Sequence, residues 1–230
     1  MQTATIQSTT PMSGSLSFDV KRGGPQVPEK VRLRDILRQA MPNTGNREVD
    51  EYRFRNAANV LRGIGTIAVA RAVGAPTFFG VVSHQLTRKS GEILDLGVVS
   101  CRVVTTTGCG FIVDAFQNLV ELENMKYHGF GTGSNAEAAG NTALHTELTT
   151  EYAVNSTRPT GSTTEASATV YRTVATLSPD ASAAITEHGI FDQAATGGGV
   201  LLDKSLFTVI NLISGDSLQT TYDLTFTAGS

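Results

Sequence analysis

Four histidines are the side chains in this sequence best suited to binding a metal ion or moving a proton near neutral pH. They are His84, His128, His145 and His188. No two of them stand four positions apart, and none forms a cluster with cysteine at the spacing of a zinc site. Asp192 and Asp203 could join His188 only through folding. The spacing therefore predicts no metal site, and the order Glu187-His188-Gly189 favours a histidine that holds a turn by bonding to a backbone carbonyl.

Hydrolytic chemistry would require a pair of carboxylates or an activated nucleophile. Glu147 and Glu151 lie four positions apart, but on a predicted strand they share one face with threonines, which indicates solvated side chains. Cys109 stands between Gly108 and Gly110, whereas the glycines of a nucleophile elbow are spaced two residues from the nucleophile. We therefore predict that the chain is not an enzyme.

The glycine-rich segment 129–133 is the remaining candidate for ligand chemistry. A P-loop needs a lysine followed by Ser or Thr at the start of its helix, and Gly131-Thr132-Gly133-Ser134-Asn135 contains no lysine. A dinucleotide fingerprint needs a third glycine that opens a helix within a βαβ unit, and the surrounding segments do not alternate in that way. The sequence predicts no nucleotide site and no cofactor.

Composition and charge narrow the class of protein. The 230 residues are 17% charged and 40% hydrophobic, with 23 glycines, five tyrosines and no tryptophan. Abundant threonine suits strands that face water, while few Tyr and no Trp argue against a sugar-binding surface, although a receptor-binding module stays open. The first 62 residues hold ten Lys/Arg and six Asp/Glu, whereas the remainder holds eight and fifteen. This asymmetry predicts a basic arm with an acidic partner, and the lack of dense basic clusters disfavours nucleic acid.

Targeting and redox signals are few. The first ten residues lack the basic and apolar regions of a signal peptide, and no apolar run approaches the roughly twenty residues of a membrane span. Cys101 and Cys109 give no disulfide framework. We expect a chain made in a reducing cytosol without membrane contact, with both cysteines present as free, buried thiols; a disulfide between them is the alternative.

The first 62 residues divide into an arm and two short helices. Residues 1–30 contain prolines and glycines without periodicity, which indicates an extended arm. The arm is either a disordered tail or a segment that orders against neighbouring subunits; alternating Leu16, Phe18 and Val20 favour the second reading. Helices are predicted over residues 31–41 and 48–61, with Gly63 as the end of the second. The basic side chains expected at the docking interface are Lys21, Arg22, Lys30, Arg32, Arg34 and Arg38.

From residue 63 onward the hydrophobic pattern changes from helical to alternating. Strands are predicted over residues 66–72, 77–85, 92–104, 109–116, 146–154, 168–176, 183–191, 200–212 and 217–227. Segments 92–104 and 109–116 are expected to pair as a hairpin. In the last strand, one face holds Leu218, Thr220, Tyr222, Leu224 and Phe226. We predict a mainly β protein, in which residues 63–230 form an antiparallel β-sandwich or jelly-roll-like domain and residues 1–62 form a docking arm with two helices.

Short motifs between Tyr127 and Thr227 resemble those of tailed-bacteriophage virion proteins. Gly131-Thr132-Gly133 is followed by Asn141-Thr142-Ala143-Leu144 and Glu147. A later segment reads Ala184-Ile185-Thr186-Glu187-His188-Gly189-Ile190-Phe191, and the pattern closes with Gly199-Val200-Leu201-Leu202-Asp203 and Gly215-Asp216-Ser217-Leu218. The resemblance implies a β-rich module found in tail-fibre, baseplate and capsid-associated proteins.

The resemblance does not place the module within the particle. The first half of the chain has neither the coiled-coil heptads nor the repeats associated with fibres. We therefore expect a virion structural protein, assembled in the host cytoplasm, that acts as a capsid cement or decoration protein, contacts the major capsid protein and forms a homo-oligomer. A tail, fibre or baseplate component, with binding to host receptor glycans, is the alternative.

Overall fold

A computed structural model describes residues 33–152 and 156–229, without the side chain of Val103. In this part of the chain, eight strands form two antiparallel sheets accompanied by three α-helices and a short 3₁₀ helix (Leu122–Asn124). The predicted mainly β, sandwich-like class is confirmed. The strands are β1 (Thr77–Thr87), β2 (Ile93–Val103), β3 (Tyr127–Gly131), β4 (Ser162–Ser167), β5 (Val170–Leu177), β6 (Ala183–Phe191), β7 (Leu201–Leu212) and β8 (Ser217–Thr227).

Two sheets share the main core. The larger sheet has the order β2-β1-β8-β5-β4, and the smaller sheet has the order β3-β6-β7. Leu86 and Leu218 of the larger sheet pack in one apolar cluster with Phe130 and Ile185 of the smaller sheet. The core therefore lies between the sheets, as in a sandwich.

The central strand β8 has the regular alternation that the sequence predicts. It pairs with β1 on one side and β5 on the other. Leu218, Thr220, Tyr222 and Leu224 are buried, and only Phe226 near the strand end is exposed. A period of two over eleven residues specifies the strand and its buried face without help from other elements.

The two N-terminal helices are α1 (Leu33–Ala40) and α2 (Arg47–Ala72). The side chain of Asn46 caps α2 by accepting hydrogen bonds from the backbone N–H groups of Glu48 and Val49. The predicted end of this helix at Gly63 and the predicted strand over residues 66–72 are wrong, because α2 continues for 26 residues. A Cβ atom at Gly63 would lie 1.7 Å from the Cys101 carbonyl oxygen. Gly63 is therefore a close-packing position between helix and sheet, not a helix terminus.

Helix α2 covers one face of the larger sheet and also joins the two sheets. Val60 and Ile67 pack against Phe79 and Val81 on the side away from the main core. The Asn56 side chain donates from Nδ2 to the Val99 carbonyl of β2 and accepts from the Thr208 N–H of β7. Asn59, one turn later, donates to the carbonyls of Val99 and Leu206. These two asparagines satisfy backbone groups on edge strands of both sheets.

The third helix, α3 (Thr106–Phe116), replaces a predicted strand. The Thr105 Oγ1 atom accepts a hydrogen bond from the Gly108 N–H and caps the helix, so residues 105–108, which lie between the two segments expected to pair, begin a helix. The expected hairpin is therefore wrong. Cys101 in β2 is buried and Cys109 in α3 is half-buried, and both thiols are free. The expectation of free thiols is confirmed, whereas burial holds only for Cys101.

Three further sequence expectations can be compared with the fold. The predicted strand over residues 146–154 is wrong, because Glu147 and Tyr152 form only isolated bridges and residues 153–155 lie outside the described part. Strand β4 was not predicted. The arm over residues 1–30 lies outside the described residues, and α2 runs across the expected domain boundary after Arg62.

No helix within residues 33–152 and 156–229 has the length and apolar content to cross a membrane.

Candidate functional site

The predicted docking residues fall partly on α1. Arg34 and Arg38 are exposed on that helix, and Arg34 lies 3.7 Å from the Asp35 carboxylate in a solvated ion pair. Lys21, Arg22, Lys30 and Arg32 lie outside the described residues. The structure leaves the two described arginines accessible, and their role in docking stays a prediction.

Residues of the short motifs between Gly131 and Phe191 converge on a buried carboxylate, Glu187, in the middle of β6. Its Oε1 atom accepts hydrogen bonds from the backbone N–H groups of Thr146 at 2.7 Å and Gly133 at 3.2 Å. Its Oε2 atom accepts one from the His145 N–H at 3.0 Å and pairs with the Lys204 ammonium at 3.2 Å. Three N–H donors and one cation offset the cost of burying this charge. Glu187 therefore fastens the loop after β3 to the smaller sheet.

The glycines of the Gly131-Thr132-Gly133 motif make room for this carboxylate. A Cβ atom at Gly131 or Gly133 would lie 2.5 Å from Glu187 Oε1. Thr186 adds a second tie, since its hydroxyl donates to the Gly133 carbonyl at 2.6 Å. The motif is thus explained by close approach of backbone to a buried acid.

A second buried ion pair joins Glu147 to Arg158. The guanidinium binds the two carboxylate oxygens at 2.5 and 2.9 Å and donates to the carbonyls of Gln193 and Gly198. The Arg158 side chain is 1% exposed and the Glu147 side chain 11%, so the expectation of a solvated Glu147 is wrong. The pair ties the loop before β4 to the loop between β6 and β7. Glu151, by contrast, accepts from the N–H groups of Thr149 and Thr150, and these bonds lower the pKa of its carboxyl.

We call Glu187, Lys204, Glu147 and Arg158 the clamp. Its four members are buried or nearly so, and its charges are paired with one another. Each acid also accepts backbone N–H groups, from Gly133 in one case and Gly197 in the other. Because each charged side chain of the clamp is paired with another, the four side chains hold loops in place and none is free to bind a substrate.

Three of the four histidines form a buried cluster between the sheets. His84, His128 and His188 are at most 2% exposed. His188 Nε2 lies 3.0 Å from His128 Nδ1, and His128 Nε2 lies 3.2 Å from the Thr173 hydroxyl. His84 Nδ1 lies 3.0 Å from the Thr220 hydroxyl. His188 therefore does not hold a turn, as its sequence neighbours indicated, but lies within a strand and contacts a second imidazole.

Burial determines the protonation of this cluster. Loss of solvation lowers the pKa of all three imidazoles, to about 3 for His188, and the neighbouring imidazoles lower those of His84 and His128 further. His188 Nδ1 and His84 Nε2 have no partner among the described atoms. Because a buried bare lone pair is tolerated better than a buried free N–H, we assign the protons of His188 and His128 to Nε2 and that of His84 to Nδ1.

A buried acid lies near these imidazoles. Asp203 in β7 is fully buried, and desolvation raises the pKa of its carboxyl to about 7. The Ser205 hydroxyl donates to one of its oxygens at 3.1 Å. The other oxygen and the Tyr222 hydroxyl lie against Gly80, where a Cβ atom would be 2.5 and 2.8 Å from them. The described residues contain no group of three or more candidate ligands able to hold a metal ion.

A small cleft, partly open to solvent, has a volume of about 190 Å³ and lies between α2, the end of β2 and residues 136–139. Two basic side chains that line the cleft are in ion pairs: Arg102 pairs with Glu137 at 3.0 Å, and Lys204 pairs with Glu187. Arg62 borders the cleft on the helix side. The site offers no nucleophile with a base beside it.

Seven large apolar side chains are exposed on α2, on α3 and on the segment after α3. On α2 they are Phe54, Leu61 and Val69, and on α3 and the segment after it they are Val113, Phe116, Leu119 and Leu122. Phe116 is 88% exposed. Exposed apolar groups concentrated on two elements indicate contact surfaces. The sequence pattern did not reveal the second set, because residues 109–116 were assigned to a strand.

Comparisons of the chain with protein-family models, with curated proteins and with solved structures gave no match.

Proposed function

We propose that this chain is a non-enzymatic structural protein of a tailed-bacteriophage particle and that it acts as a capsid cement or decoration protein. The observation that carries the proposal is the inward direction of the phage-like motif residues. Glu187, Gly133 and Glu147 hold loops through buried bonds, and their chemistry serves the fold. A module held together in this way contributes a rigid shape to an assembly, and its working surface lies elsewhere.

The surface of the chain supports a role in assembly. Arg34 and Arg38 on α1 are exposed and can meet an acidic subunit surface. Apolar side chains on α2 and α3 add candidate contact area. A standard interface buries about 1,600 Å², and its repetition over a symmetric shell multiplies a modest affinity through avidity. In this proposal the chain bridges neighbouring copies of the major capsid protein.

The test is the copy number of the chain in purified particles, measured by quantitative mass spectrometry against the major capsid protein. A ratio near one to one is expected. A ratio of a few per cent would move the chain to the tail or baseplate, and binding to host envelope polysaccharide would then be measured. Absence from particles would overturn the structural role.

A second test addresses docking through the basic residues. One variant lacks residues 1–32, and a second, full-length variant carries Arg34→Glu and Arg38→Glu. The deletion stops at Arg32, because a deletion through Arg62 would remove Asn56 and Asn59, which join the sheets. Both variants should be incorporated into particles several-fold less than the unmodified chain. Arg172→Glu, a half-exposed arginine on β5, is the matched control. Equal incorporation of all variants would contradict docking through the arm and α1.

A further inference from the structure

The exposed face of α2 combines apolar and basic side chains. Phe54 and Leu61 are seven positions apart and therefore lie almost in line along the helix, with Ala58 between them. Both large side chains are exposed, at 74% and 48%. From residue 52 to residue 72 the helix contains four arginines and no acid. Two of these, Arg55 and Arg62, are exposed beside the apolar line.

A shallow depression lies next to this line. It has a volume of about 650 Å³ and opens to solvent at the start of α2. Phe54, Pro42 and Gly45 line it together with four charged residues, Arg47, Asp50, Glu51 and Arg55. The charges of the depression are therefore mixed, and a net positive charge is found farther along the helix, at Arg55 and Arg62 beside Leu61.

The region from α3 to the 3₁₀ helix has the complementary composition. Val113 and Phe116 lie one turn apart on the same face of α3. Leu119 follows directly and is held to the helix end by its N–H bond to the Asp114 carbonyl at 3.0 Å. Residues 106–125 contain three acids, Asp114, Glu121 and Glu123, and no Lys or Arg. Glu121 and Glu123 are exposed.

We propose that copies of this chain associate head to tail, with the α2 face (Phe54, Ala58, Leu61, Arg55, Arg62) of one copy against the α3 face (Val113, Phe116, Leu119, Leu122, Glu121, Glu123) of the next. The two faces match in apolar character and are opposite in charge. Phe116, the most exposed large apolar side chain described, packs against Phe54 and Leu61 of the next copy. Pairing of α2 with α2 is disfavoured, because it would bring Arg55 and Arg62 of both copies together.

Head-to-tail contacts between unlike faces produce closed rings or open filaments, not two-fold dimers. This inference deepens the proposed assembly role and rests on it for its biological meaning. Its physical content, self-association of the purified chain, is independent of particles. The chain can therefore fail this test and still be found in virions, or pass it and be absent from them.

The experiment uses three full-length variants with the same replacement. Leu61→Asp disables the α2 face, Phe116→Asp disables the α3 face, and Ile93→Asp is the control on an exposed apolar side chain of β2. Each is checked for unchanged far-UV circular dichroism and urea midpoint. Mass is measured by sedimentation equilibrium and light scattering at about 0.1 mM, where a standard-size interface is populated.

The unmodified chain and Ile93→Asp should exceed twice the monomer mass of 24.3 kDa, whereas Leu61→Asp and Phe116→Asp should each remain monomeric. An equimolar mixture of the two disabled variants should form a one-to-one dimer and grow no further, because only one intact face remains on each. A monomeric unmodified chain overturns the proposal. So does association of either disabled variant alone, or a mixture that stays monomeric.

Discussion

The guanidinium carbon of Arg158 lies 3.5 Å from the centroid of the Phe191 ring, while its nitrogen atoms bind both carboxylate oxygens of Glu147. One side chain thus combines an ion pair, a cation–π contact and two hydrogen bonds to loop carbonyls. Arginine alone among the basic residues has the planar group that these contacts need simultaneously. The loop between β6 and β7 depends on this residue.

Replacement of Arg158 by Met should destabilise the protein strongly. The change leaves the nearly buried Glu147 carboxylate with the Gly197 N–H but without a cation, which costs about 3–5 kcal/mol of unfolding free energy. Urea unfolding measures the loss. Arg172→Met, at a half-exposed pair with Asp223, is the control and should cost less than about 1 kcal/mol. Equal losses of unfolding free energy at Arg158 and Arg172 would contradict the conclusion that burial makes the Arg158 pair the more important one.

Gly133→Ala tests the space beside Glu187. The added methyl would lie 2.5 Å from Glu187 Oε1 and 2.7 Å from His145 Cβ, so the loop or the buried acid must move. We expect a loss of roughly 1–3 kcal/mol in unfolding free energy. Gly140→Ala, where a Cβ meets no atom within 4 Å, should be neutral within error. Amide exchange at Thr146 should accelerate in the first variant only.

The buried histidines predict a loss of stability in mild acid. The pKa of each is lowered from 6.5 in the folded chain. Below pH 6.5 the unfolded chain therefore binds protons that the folded chain does not, and folding weakens as pH falls. Asp203 acts in the opposite direction, because its pKa is raised from 3.8 to about 7 and its proton stabilises the folded chain. Because three histidines oppose one carboxyl group, the free energy of unfolding falls by about 2–3 kcal/mol for each pH unit near pH 5.

Urea midpoints measured between pH 7 and pH 5 check this slope. His128→Asn removes one of the three imidazoles and should roughly halve the net slope, in addition to its cost at neutral pH. His145→Gln, which changes an exposed histidine outside the cluster, is the matched control for the loss of a histidine. A pH-independent midpoint in the unmodified chain would contradict the buried neutral cluster.

The two thiols should differ in reactivity. Burial raises the pKa of the Cys101 thiol to about 12, and its side chain is inaccessible in β2. Cys109 is half-buried on α3 and can be reached by a reagent. An aromatic disulfide reagent should therefore modify one thiol quickly in the native chain and the second only after unfolding. Cys109→Ser should remove the fast phase, and a fast phase that persists would contradict this assignment.

The local hydrophobic pattern was sufficient to predict a strand where that strand is regular along its whole length. Strands β6 and β8 were both predicted with both ends correct. In β8 an alternating face against one core carries its own register, whereas all residues of β6 from Glu187 to Phe191 are buried. Free thiols were expected from the number of cysteines and from an expected reducing compartment, and both thiols are free in the structure. Pattern failed at residues 109–116 and 66–72, where small and apolar residues suit helix and strand equally. Gly63 and Thr105 then decided the outcome through packing against β2 and capping of α3.

The sequence by itself determined the mainly β class, the central strand and the asymmetry of charge. Only the tertiary structure decided what the short motifs between Gly131 and Phe191 do, because a buried carboxylate is recognised by the donors around it and not by its neighbours in the chain. Glu187 gathers N–H groups from residues 133, 145 and 146, and Arg158 reaches Glu147 and Phe191. The histidine cluster joins residues 84, 128 and 188 in the same way. Contacts across such distances in sequence arise from strand order and sheet packing, which no local period encodes.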